Sequence, residues 1–192
     1  GSIGIGLIGA GLFTRGVFLP VLKSAAGLDL RGAATASGVS ALHAAETAGF
    51  AYSTTDYHEI LADPKVHAVL IITRHDLHAR MVADSLRAGK HVFVEKPLAL
   101  TEDELREVID AYRGAPGSPM VMVGFNRRFA PATEALAAAM GQGPCAIHVR
   151  VNAGAIPANS WVQDDEGGGR VIGEVCHFID LIHGLAGGLT RT

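Results

Sequence analysis

Cysteine is almost absent: Cys145 and Cys176 are the only two in 192 residues, beside a single tryptophan and three tyrosines. Two cysteines exclude a disulfide-stapled scaffold, and their spacing fits no zinc pattern, so no metal site is expected. No apolar run approaches the roughly 20 residues that cross a bilayer, and no membrane partner is expected. Positive charge is not in excess either, since 16 Lys+Arg stand against 19 Asp+Glu for a formal net charge of -3. A chain built to grip phosphate backbones carries the opposite balance, so nucleic acid is not an expected partner. No basic stretch precedes the first apolar segment, which gives no sign of a secretory leader and points to a reducing, cytoplasmic setting. Apolar residues are what the chain has: 48% are hydrophobic and only 18% charged. A packed core is within reach.

Apolar runs alternate with helical stretches over the first two thirds. Residues 3–8, 28–35, 66–72, 91–94 and 120–123 read as strands. Helices are expected over 12–24, with Pro20 marking a break, and over 40–48 and 57–62. Two more are expected over 77–88, closed by Gly89, and from Thr101 to about Arg113, opened by a Thr101–Glu104 capping box. This alternation predicts an α/β fold, an open, doubly wound parallel sheet with helices on both faces. Beyond Gly124 the pattern changes to a helix over 130–140, an alternating strand over 145–152, a glycine-rich loop over 154–173 and a helix over 174–185. A boundary is expected near Gly124. The residues after it, 124–192, are thin for an independent core and read as the truncated start of a second α+β domain.

Two registers of a G-x-G-x-x-G turn compete at the start. Gly4–Gly9 matches literally but leaves almost no strand ahead of it. Gly9-Ala10-Gly11-Leu12-Phe13-Thr14 follows a full strand and opens a helix, which is where such a turn belongs. There Gly9 allows the tight turn, and Gly11 lets the amides around Leu12 and Phe13 approach a pyrophosphate at a helix N-terminus. Thr14 replaces the third glycine, and slightly wider helix–strand packing is expected. Residues 1–123 are therefore read as a Rossmann dinucleotide-binding domain. The carboxylate that holds an NAD ribose about 20 residues on is missing: from Arg31 to Ala45 there is no acid. Ser37 or Ser40 can bond either ribose form, so NAD and NADP both stay open. Arg31 opens its strand and lies too far back to clamp a phosphate.

Glu95-Lys96-Pro97 ends a buried strand at the edge where ligands of open α/β sheets sit. The triplet resembles the E-K-P signature of the Gfo/Idh/MocA oxidoreductases. Four other stretches are similar to that family: the Gly9–Gly11 turn, Ile72-Thr73 followed by His78, residues 124–129, and Gly167-Gly168-Gly169 leading to His177-Phe178-Ile179-Asp180. The resemblance implies a nicotinamide-dependent dehydrogenase or reductase acting on a sugar, cyclitol or related polyol, and a homo-oligomer in its full-length form. It implies that Lys96 lies beside the nicotinamide and bonds the reacting oxygen, with a cis Lys96–Pro97 bond. Glu95, Thr73, His75 and His78 fall near the same ring. His177 matches the catalytic histidine, Asp180 shares its helix face, and Arg128 and Trp161 lie toward the substrate. Trp161 reads equally as a lid or as packing. The run 173–180 also resembles the Gfo/Idh half of two-domain fusions with a zinc-type alcohol dehydrogenase region.

The chain departs from the family in two places. Gly173 stands where the family commonly has an Asp four residues before the histidine, and Glu174 is an uncertain substitute. Arg74 stands where the family usually has Pro. The Gly173 departure supports a rival reading, a dinucleotide-binding module without catalysis. A methyltransferase using the same turn is a second rival, and Glu95-Lys96-Pro97 speaks against it.

Overall fold

The computed structural model describes residues 1–140, 145–152, 154–157 and 160–187. The chain divides into two compact units, Gly1–Val123 and Gly124–Thr192.

In the first unit six parallel strands form one sheet: β1 (Ile3–Ile8), β2 (Leu28–Ala34), β3 (Tyr52–Thr54), β4 (Ala68–Ile71), β5 (His91–Val94) and β6 (Val121–Val123). Their spatial order is β3-β2-β1-β4-β5-β6. The order reverses between β1 and β4, which makes their carboxyl ends the switch point where an open α/β sheet leaves a crevice. Residues alternate between the faces as a strand requires. Leu7 and Ala33 point to one core cluster, Ile8 and Ala34 to the other. On the first face lie α1 (Leu19–Ser24) and α2 (Gly38–Ala48); on the second lie α3 (Tyr57–Ala62), α4 (His78–Arg87) and α5 (Glu102–Gly114). The buried residues of α2 are Ala41, Ala44, Ala45 and Ala48, one helical stripe of small side chains that lets this helix lie close on the sheet.

The strands sit close to their expected bounds, with two informative differences. β3, at the sheet edge, was not expected, because three residues give no periodicity to read. The expected break at Pro20 is a π-helical turn over Thr14–Phe18 ahead of α1, in which the Leu19 amide donates to the Thr14 carbonyl. Proline has no N–H to give, and a widened turn ahead of it lets the helix continue. The capping box forms as expected: Thr101 Oγ1 accepts from the Glu104 amide at 3.2 Å, and the Glu104 carboxylate accepts from the Thr101 amide at 3.2 Å.

The sheet edge opposite the switch point is held by side chains that ordinary periodicity does not announce. His67 Nδ1 accepts from the Gly4 amide at 2.8 Å, and His91 Nδ1 accepts from the Met120 amide at 3.0 Å. Lys90 is buried at 9% exposure, and its ammonium donates to the carbonyls of Asp63 at 2.9 Å and Val66 at 2.8 Å. Burial lowers its pKa below the ordinary lysine range.

The second unit contains α6 (Pro131–Met140) and α7 (Cys176–Leu185), the latter preceded by a π-helical turn over Val171–Val175. The strand expected over 145–152 is corrected: among the described residues that segment pairs with no partner. Alternating residues make a strand only where a second one supplies the ladder. Among the described residues no helix is long and apolar enough to cross a membrane.

Replacing Lys90 by Met keeps the stem and removes the ammonium, leaving two inward carbonyls without their donor. Chemical denaturation is expected to show a loss of about 1–3 kcal/mol; an unchanged midpoint would contradict this role.

Candidate active site

The strand register sets one row of residues at the switch-point edge. Ile8 lies opposite Ala34 on one side and Ile71 on the other, Ile71 opposite Val94, and Val94 opposite Val123. The next residues, Gly9, Thr35, Ile72 and Glu95, therefore emerge together from neighbouring strands.

Structure decides between the two glycine registers. Gly4 and Gly6 lie inside β1, where a Cβ would meet the Lys65 carbonyl at 1.7 Å and the Ile60 side chain at 2.3 Å, so they serve packing. Gly9 makes the turn, at φ +99°, a region that L side chains rarely adopt. A Cβ there would also lie 2.2 Å from the Ile72 carbonyl of the strand beside it. Gly11 differs: a Cβ built on it would meet nothing within 4 Å. The turn is thus closed on the sheet side and open on the other. Leu12 is 91% exposed beside it, and the Arg15 amide closes the first helical turn on the Gly11 carbonyl at 3.1 Å. First-turn amides have no partner within their own helix. An open backbone at a helix start suits a pyrophosphate. Phe13 packs edge-on against Phe18 at 5.5 Å, and Phe18 against Phe93 of β5 at 5.4 Å, which ties the turn to the strand that carries Lys96.

At the end of β2, the Thr35 hydroxyl donates to the Ser37 carbonyl at 2.7 Å and accepts from the Ser37 amide at 3.2 Å. The exposed Ser37 precedes α2 and makes no side-chain cap to it. Arg31 points elsewhere, 3.5 Å from Asp63 and 3.8 Å from Asp29.

After β4 come Thr73, whose hydroxyl donates to the Arg74 carbonyl at 3.2 Å, and a short 3₁₀ turn over His75–Leu77. His78, expected near the nicotinamide, opens α4. It is fully buried, with Nδ1 2.7 Å from the Pro97 carbonyl and Nε2 3.3 Å from the Thr73 carbonyl. It braces the loop after β4 against the loop after β5. A neutral ring has one N–H, which the shorter contact takes as its donor. Burial pushes the His78 pKa below the ordinary value of 6.5, against the pull of the two carbonyls. His75 is buried beside it, with ring centroids 5.8 Å apart.

After β5, Glu95 and Lys96 are half-buried and Pro97 follows through a cis bond. Burial raises the Glu95 carboxyl above the usual carboxylate range, opposed by the Lys96 amide, 3.3 Å from Oε2, and by the Lys96 charge.

In the second unit His177 is buried at 8% exposure, with the Phe125 ring edge-on at 6.0 Å. Arg128 and Asp180, given separate roles by the sequence, form one forked ion pair, with Nε donating to Oδ2 at 2.9 Å and Nη2 to Oδ1. Asp180 therefore orients Arg128. Trp161 starts a short 3₁₀ turn and is 36% exposed. Gly173 is buried in the π-helical turn. Glu174 lines a cavity of about 530 Å³ with Arg127, Arg170 and Phe178. The Arg127 guanidinium stacks 4.6 Å over the Phe178 ring.

Residues 3–125 match the family profile described as an oxidoreductase family with the NAD-binding Rossmann fold, Gfo/Idh/MocA. The chain belongs to this family. It is 35% identical over 140 residues to a 1,5-anhydro-D-fructose reductase of Ensifer adhaerens, covering 72% of this chain and 40% of that one. A levoglucosan dehydrogenase in complex with NADH and levoglucosan superposes at TM-score 0.76 and 29% identity, over 97% of this chain and 55% of the other. A 3-ketoreductase from Actinomadura kijaniata, in complex with TDP-benzene and NADP, superposes at TM-score 0.65 and 25% identity, over 72% and 43%. This Gfo/Idh/MocA chain spans 36–52% of the length of the curated relatives it first matches.

The unfolded chain takes a proton on His78 near pH 6.5 while the folded chain resists it, so stability present above that value is lost as pH falls through it. Melting temperatures from pH 7.5 to 5 are expected to decline for the wild type and to decline less for His78→Gln; parallel curves would contradict the assignment.

Proposed function

We propose that the chain carries the dinucleotide-binding part of an NAD(P)-dependent oxidoreductase that moves a hydride to or from a CH–OH carbon of a sugar, cyclitol or related hydroxy or carbonyl compound. The observation that carries this reading is the placement of Glu95-Lys96-Pro97 at the same sheet edge as the open glycine turn, one strand from the switch point. Gly1–Val123 is read as the dinucleotide domain, supported by the family match over residues 3–125. The residues from Gly124 on are read as the start of a substrate and oligomerisation domain.

Gly9, Gly11, Leu12 and Phe13 would hold the pyrophosphate, Ser37 the ribose, and Thr73, His75, Glu95 and Lys96 the nicotinamide end. The nicotinamide, when bound, supplies the hydride acceptor or donor. Lys96 takes or returns the proton of the reacting hydroxyl and stabilises the charge that develops on that oxygen. His177, with Asp180, is read as the second member of the proton path, because an imidazole exchanges protons near neutrality. The Arg128–Asp180 pair presents a fixed guanidinium toward polyol oxygens, with Trp161 bordering the substrate. A polyol substrate and a soluble dinucleotide pool suit a cytoplasmic enzyme, and a homo-oligomer is the assembly the family resemblance implies.

One observation favours a second reading, a dinucleotide-binding module without catalysis: Gly173 is buried in a helical turn and offers no carboxylate where the family commonly has one. Turnover on a panel of sugars and cyclitols, measured beside NAD(H) and NADP(H) titrations, separates the two. Lys96→Met is expected to lower kcat by about 10²–10⁴-fold, the usual worth of a placed acid–base group, with a far smaller change in dinucleotide affinity. Binding without any turnover by the wild type supports the second reading, and binding of neither dinucleotide contradicts both.

A further inference from the structure

Two side chains that follow the glycine turn reach back into it. Thr14 is fully buried, and its hydroxyl donates to the Gly9 carbonyl at 3.2 Å. Arg15 lies on the exposed side, and its Nε donates to the Ala10 carbonyl at 3.0 Å. Both bonds span five residues, and both start where the π-helical turn begins. They end on the two consecutive peptide units that form the turn.

In a trans peptide the carbonyl and the following N–H point in opposite directions. Among the described residues the cis bond lies elsewhere, at Lys96–Pro97. Holding the Gly9 carbonyl toward Thr14 therefore turns the Ala10 amide away from that side. Holding the Ala10 carbonyl toward Arg15 fixes the next peptide plane as well, with the Gly11 amide turned away from Arg15. We infer that Thr14 and Arg15 are positioning residues of the dinucleotide site: their bonds hold the two peptide planes of the glycine turn, so that the Ala10 amide is turned away from the buried side, to where the pyrophosphate reading needs a donor. The inference rests on the dinucleotide reading above. A glycine at position 14 has no side chain to make this bond. Here the widened π turn makes room for Thr14, and its hydroxyl takes on the orienting task. An anion-binding turn gains affinity from donors that are already aimed, because no ordering then opposes binding.

The test compares Thr14→Val, which keeps the volume and loses the hydroxyl, with Thr14→Ser, which keeps the hydroxyl and loses a methyl. NADH affinity is read by fluorescence titration and stability by thermal melting. A purely structural Thr14 makes Ser the poorer binder, because a buried methyl is lost. A positioning Thr14 leaves Ser close to the wild type, while Val binds about five- to tenfold more weakly, the usual worth of one oriented hydrogen bond. Arg15→Met is expected to weaken NADH binding by a similar factor with an unchanged melting temperature, because the residue is exposed. Val binding as tightly as the wild type, Ser losing as much as Val, or Arg15→Met binding unchanged each overturns the proposal. A wild type that binds no dinucleotide overturns it together with the function on which it rests.

Discussion

Gly9 passes so close to the end of β4 that a Cβ on it would lie 2.2 Å from the Ile72 carbonyl. Backbone-to-backbone contact at that point has three consequences. It lets the Ile72 amide reach the Ile8 carbonyl at 2.8 Å and the Gly9 amide reach the Ala34 carbonyl at 2.8 Å, so the ladder continues past the strands on both sides. It bends the chain sharply enough that a helix begins almost at once, the Arg15 amide already closing on the Gly11 carbonyl at 3.1 Å. It also sets the level of the whole edge, since β5 takes its register from β4. Lys96 stands where it does because its strand is aligned, through β4, to the turn that Gly9 makes possible.

The loops around that edge are braced by buried polar contacts in addition to apolar packing. His78, fully buried, joins the loop after β4 to the loop after β5 through two carbonyls. The Phe13–Phe18–Phe93 series does a similar job on the other face. At the far edge Lys90 and the two imidazoles His67 and His91 satisfy backbone groups that the strands leave open. The loops at this edge are therefore braced on both faces of the sheet, and the turn stays open at Gly11.

Much of this was legible in the residues. The long apolar runs gave β1, β2, β4 and β5 because a sheet covered on both faces demands them, and the order of glycine turn, Glu95-Lys96-Pro97 and His177 pointed to the family. What stayed hidden is what depends on contacts distant in the chain. Arg128 and Asp180 meet across 52 positions, and no local pattern announces that pairing. The alternation over 145–152 suggested a strand, but pairing belongs to two segments and cannot be read from one. His78 was visible as a residue beside the cofactor edge but not as a brace, because its partners Thr73 and Pro97 lie on two different loops. Thr14 looked like a missing glycine; its hydroxyl gained meaning only when the turn geometry showed which carbonyl it reaches.

The central claim is that a dinucleotide lies across the carboxyl ends of β1 and β5, with its pyrophosphate on the turn at Gly9. The most direct measurement is the backbone amide spectrum of isotope-labelled protein titrated with NADH. The account predicts that the largest shifts fall on Gly9 through Phe13 and on Glu95 and Lys96. Shifts confined to residues beyond Gly124, or a spectrum unmoved at millimolar nucleotide, would contradict it.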